Sequence, residues 1–170
     1  MLKIFSVIIF LMAGFIFLRP REEFPKTFPQ FTTVDLYGNV ITNKIFEGKI
    51  TAILLWTTNS SPCIEVLKNL DVNLPQNFQI IGLIGDKNFD AAQIKKFSSI
   101  LQLQVNDDFA PLLTKIKVVP TVIFIDKQGN LIESPQFVSD SKFIREELIR
   151  LSELNLPKVK TLRLLQEKFF

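Results

Sequence analysis

Apolar residues are densest, outside the amino terminus, in ITAILLW (Ile50–Trp56) and in NFQIIGLIGD (residues 77–86). Both read as strands covered on two faces. Between them SSPCIEVLKNL opens with Ser60 or Ser61 as N-cap and Pro62 in the first helical turn, so it predicts a helix with Cys63 at its start. FDAAQIKKFSSIL carries apolar residues at roughly helical spacing and predicts a second helix. Strand and helix in alternation call for a parallel crossover. Upstream, FTTVDLYGNVITNKIFEGK places two short strand-like pieces around Tyr37-Gly38-Asn39, a leading hairpin, followed by a turn ending at Gly48-Lys49. Downstream, VVPTVIFIDKQGNLIESPQF predicts a strand over Thr121–Asp126, a turn at residues 127–130 and a partner strand. SDSKFIREELIRLSEL, with Ser139 or Asp140 as cap and Phe143, Leu148 and Leu151 among charges, predicts a helix closing one face of the sheet.

The two ends differ from this middle. Lys3 precedes an apolar run, Ile4 to Leu18, that stops at Arg19-Pro20, the pattern of an export signal or membrane anchor. At 1.5 Å per residue the run spans roughly 22 Å against a hydrocarbon core of roughly 30 Å. No A-x-A-like cleavage site follows, and Phe15 stands where the lipoprotein-like LMAGF would need a cysteine, so an uncleaved anchor over residues 1–18 with an extracytoplasmic domain is expected, or a secreted one if the segment is cleaved. Residues 19–30, with three prolines and mixed charges, read as an extended linker. The folded domain is expected over residues 31–154. Residues 155–170 alternate basic and apolar positions, as a packing extension or an arm touching an anionic surface would.

Composition narrows the chemistry. With 47% hydrophobic and 22% charged residues in 170, the chain can bury the core of one domain. Twenty basic residues against 17 acidic ones leave a net charge of +3 and no basic stripe, so nucleic acid is not an expected partner. The chain has no histidine and one cysteine. That excludes the usual zinc, iron and haem ligand sets, a Ser-His-Asp or Cys-His arrangement, and an internal disulfide, and no cofactor is expected.

Two stretches carry a resemblance. GKITAILLWTTNSSPC is similar to the GK-x5-FWATWCPPC segment of the TlpA/ResA-like, membrane-anchored redoxins of the thioredoxin superfamily, with Gly48, Lys49, Trp56, Thr58, Pro62 and Cys63 matching. KVVPTVIFIDKQGNLI resembles that family's G-V-x-G-x-P-T-x-F-L-I-D-x-x-G-x-I, through Val118, Pro120, Thr121, Phe124, Ile125, Asp126, Gly129 and Ile132. The likeness covers about Phe31 to Leu154. It implies an α/β thioredoxin-like fold of three layers, a mixed central sheet flanked by helices, with an N-terminal β-hairpin. It implies a cis Pro120 facing the active-site helix, and a groove for an exported protein or peptide formed by Trp56, Pro62, Val119, Pro120 and Thr121. The implied field of action is extracytoplasmic thiol-disulfide homeostasis.

The sequence departs from that family at the decisive position. Ser60 stands where the nucleophilic cysteine of CxxC belongs, Asn59 replaces the second tryptophan, and Leu54 replaces a buried polar residue. A serine hydroxyl without a base cannot attack a disulfide at neutral pH, so the dithiol cycle is lost and product release would need an external thiol donor. Three readings of Cys63 follow. The protein is a redox-inactive binding module; or it is a monothiol enzyme, since Ser60-x-x-Cys63 also resembles the peroxiredoxin T/S-x-x-C, with Arg145 the candidate for stabilising the thiolate; or Cys63 is a buried small hydrophobe.

Overall fold

The structure is a computed structural model that describes residues 23–154. The anchor expected over residues 1–18 and the extension over 155–170 lie outside the described residues, and among those described no helix is long and apolar enough to cross a membrane.

A hairpin leads, as the turn signal predicts. Strands β1 (Thr32–Val34) and β2 (Val40–Thr42) pair antiparallel. Gly38 takes φ 83°, the left-handed region open to glycine, at the tip. The Asp35 carboxylate accepts hydrogen bonds from the Asn39 side chain and from the backbone N–H groups of Tyr37 and Asn39 at 2.8 to 2.9 Å. These bonds, the Asn39 side chain first, lower the Asp35 pKa from its ordinary value.

The main sheet has the order β5-β4-β3-β6-β7. Its centre is β3 (Ile50–Trp56), parallel to β4 (Phe78–Ile84) and antiparallel to β6 (Thr121–Ile125). β5 (Leu101–Gln104) runs parallel to β4, and β7 (Gln136–Phe137) pairs antiparallel with β6. Helices α1 (Ser61–Lys68), α2 (Ala91–Lys95), α3 (Ala110–Leu113) and α4 (Ser141–Leu154) flank it. All seven residues of β3 are buried because successive side chains enter different cores. Ile50, Ala52, Leu54 and Trp56 join Cys63, Val66 and Leu67 of α1 and Ile144, Leu148 and Leu151 of α4; Ile53 and Leu55 meet Phe28, Phe31, Phe46, Phe109 and Leu112 on the other face. The mixed sheet between two apolar layers is the three-layer architecture expected.

Three expectations change. The predicted helix over residues 89–101 stops at Lys95, where Ser98-Ser99 follow, and Leu101–Gln104 becomes a strand whose Leu103 is buried against the second core. The strand expected after the turn at 127–130 is reduced to a single bridge between Ile125 and Leu131 before β7. Residues 23–30, expected as part of a linker, lie on the domain: the Phe28 ring is buried edge-on to Phe31, Phe46 and Phe109, and its N–H donates to Gly129 at 2.9 Å. An aromatic residue that finds three aromatic neighbours is held more firmly than proline content alone would suggest.

Candidate functional site

The C-terminal end of β3 delivers the loop Thr57–Ser60 and then α1. Ser60 occupies the N-cap position with extended backbone, φ −99° and ψ 112°, and Pro62 sits in the first turn, as the sequence predicts. The Ser60 hydroxyl makes no capping hydrogen bond, however. Ser61 and Pro62 are exposed and Ser60 is half-buried. Cys63 lies on the inner side of the turn at 0% exposure, in the same core as Trp56 and Val66. Of the three readings, the one that needs an exposed thiol does not fit this geometry. Arg145 is half-exposed and paired with Asp71 at 3.2 Å.

The second motif delivers the Val119–Pro120 peptide in the cis form at the start of β6. Val118 is 54% exposed, Val119 is half-buried, and Pro120 and Thr121 are buried. The Thr121 hydroxyl donates to the Val118 carbonyl at 2.7 Å, and the Pro120 carbonyl accepts from Val138 N–H at 3.1 Å. Neither backbone group of Val119 is hydrogen-bonded among the described residues. Phe137, opposite Thr121 in the β6–β7 register, is 57% exposed. Of the expected groove residues, Pro62 and Val119 therefore reach the surface. Trp56 does not: its ring is fully buried edge-on to Phe97, and its Nε1–H donates to Gln102 Oε1 at 3.0 Å. Thr121 is also turned inward, at 3% exposure, so it shapes the turn rather than the surface.

Three residues that support the site were not singled out in the sequence. Gln102, 1% exposed, holds Trp56 through Oε1 and donates from Nε2 to the Phe97 carbonyl at 3.1 Å. Gly82 lies opposite it in the β4–β5 register. A Cβ there would stand 2.1 Å from Gln102 Oε1, so the amide occupies space that only glycine leaves. Asp86, just past β4, accepts from both the N–H and the hydroxyl of Thr58 in the loop before α1. A carboxylate two residues after a buried strand, facing a threonine two residues after its parallel neighbour, is the signal that could have found this pair. A shallow depression of about 450 Å³ opens beside that loop and the outer face of α1, lined by Thr58, Ser60, Ser61, Glu65, Lys68 and, from α2, Gln93 among others.

The fold has counterparts in solved structures. The thioredoxin domain of a thiol-disulfide oxidoreductase from Bacteroides vulgatus matches with a TM-score of 0.59 and 23% identity, over 75% of this chain and 98% of that one. A thiol:disulfide interchange protein from a Bacteroides species gives 0.57 and 23%, over 74% and 88%. The exposed lipoprotein thioredoxin of Streptococcus pneumoniae gives 0.59 and 16%, over 71% and 98%. No family model matches the sequence, and no curated protein matches it. The likenesses establish the thioredoxin fold of this chain.

Proposed function

We propose that the protein is a thioredoxin-fold binding module of extracytoplasmic thiol-disulfide homeostasis, of TlpA/ResA-like descent, that holds exported polypeptide without exchanging disulfides itself. The observation that carries this reading is the pair at the start of α1: Ser60, which has no thiol, and Cys63, which has one at 0% exposure. Any thiol chemistry would need a second thiol from another chain. The unpaired backbone of Val119 supports the binding role, because an extended peptide can hydrogen-bond there while Val118 and Phe137 offer it apolar surface. The apolar run Ile4–Leu18 and the structural likeness to an exposed lipoprotein thioredoxin support placement outside the cytoplasm, with the run as anchor. The peroxidase reading lacks support, since Cys63 is covered and Arg145 is engaged with Asp71.

Reduced, carboxymethylated ribonuclease A serves as the unfolded polypeptide probe. The full chain is expected to bind it in a fluorescence titration, and Val118→Glu, a change at an exposed position, is expected to weaken binding roughly tenfold, or about 1.4 kcal/mol. Absence of binding by the wild type, or equal binding by the variant, would remove the groove from the account.

A further inference from the structure

The first turn of α1 is weakly held by its own residues. Ser60 supplies no side-chain cap and Pro62 no N–H, and a helix of eight residues is too short to persist on its own sequence. Yet Cys63, which this turn carries, is completely buried in the core beside Trp56 and Val66. The restraint comes from the loop ahead of it. Thr58 N–H and Oγ1–H both donate to the same oxygen of Asp86, the hydroxyl at 2.8 Å. Asp90 N–H in turn donates to Thr58 Oγ1 at 3.4 Å, while the Asp90 carboxylate caps α2 by accepting from Ala92 and Gln93 N–H. One residue earlier than Asp86, Gly85 N–H donates to the Trp56 carbonyl at 2.8 Å. The loop is thus sewn to the β4–α2 connection, and the two bonds to a charged acceptor are the strongest stitches.

We propose that Asp86 is a latch: it pins the Thr57–Ser60 loop, and its release lets the first turn of α1 open and expose Cys63 while the rest of the domain stays folded. Latched, the site offers backbone and hydroxyl groups; unlatched, it offers a thiol. The inference rests on the reading of the site as one whose thiol is kept covered, and it adds the residue that covers it.

The test is iodoacetamide alkylation of Cys63 in the full chain, followed by mass, at a series of urea concentrations below the unfolding transition. In the wild type, modification should be slow and should climb with urea as steeply as global unfolding does. Asp86→Ala should be alkylated roughly 10- to 100-fold faster without urea, from the loss of two charge-assisted hydrogen bonds, and with little urea dependence, the mark of local opening. Thr58→Val, which keeps the N–H bond and loses the hydroxyl, should fall between. Rapid alkylation of the wild type, no acceleration in Asp86→Ala, or an acceleration that keeps the full urea slope would each overturn the latch. Binding of carboxymethylated ribonuclease A by the wild type is read separately. If the wild type fails to bind it while Asp86→Ala opens locally, the latch stands and the binding role falls.

Discussion

Ser60→Cys is expected to reduce insulin with dithiothreitol as electron donor, a reaction that the wild-type chain is expected not to catalyse. The fold gives the new thiol the place it needs, at the N-cap of α1 and one helical turn before Cys63. The Ser60 hydroxyl makes no capping bond, so its loss should cost the helix little. The positive end of the helix dipole favours a thiolate at such a position. A free thiol of pKa about 8.5 is about 3% ionised at pH 7, whereas one lowered to about 7 is about 50% ionised, roughly a fifteenfold gain in nucleophile. Cys63 would then resolve the mixed disulfide from beneath. The double variant Ser60→Cys, Cys63→Ser should lose multiple turnover and accumulate mixed disulfide, and the wild type should match the uncatalysed rate. Failure of Ser60→Cys both to reduce insulin and to form an internal disulfide would mean that the two positions do not face each other as the resemblance to CxxC implies.

The parts of the fold that could be read in the sequence are those whose signals are local. ITAILLW is a strand over its full length, the Tyr37-Gly38-Asn39 turn closes a hairpin, and Pro62 marks the first turn of α1. The cis Val119–Pro120 peptide stands where the second motif places it. What was not legible depends on distant partners. The helical reading ends at Leu101 and finds no strand in LQLQ because Gln102 looks like a solvent-facing residue, yet it is buried against Trp56, 46 positions away. The resemblance places Trp56 in the groove. Its parity along the strand, in step with Ile50, Ala52 and Leu54, puts it in the core. Alternation within a strand was the better guide here, because a sheet buried on both faces leaves no side chain of its central strand at the surface.

Gly82→Ala is expected to be among the most destabilising single changes in the domain, by about 2–5 kcal/mol in urea unfolding. An added Cβ would lie 2.1 Å from Oε1 and 2.7 Å from Cδ of Gln102. A flexible side chain could swing away from such a contact at small cost, but this one is pinned at both ends of its amide. Oε1 accepts from Trp56 Nε1–H at 3.0 Å, and Nε2 donates to the Phe97 carbonyl at 3.1 Å. With Gln102 at 1% and Trp56 at 0% exposure, water cannot replace either bond. Gln102→Ala alone should cost about 2–4 kcal/mol, since it strands a buried indole N–H and leaves a void. The pair should not be additive. In Gly82→Ala, Gln102→Ala the new methyl meets no amide and fills part of the void, so the double variant should be more stable than the sum of the singles by roughly 1–3 kcal/mol. Additive losses would mean that Gln102 can leave its site freely, and that Gly82 is required by the backbone rather than by its neighbour. Because the same amide fixes the indole at the end of β3, a coupled result would also tie the placement of the Thr57–Ser60 loop to a contact made across three adjacent strands, from β5 past Gly82 of β4 to Trp56 of β3.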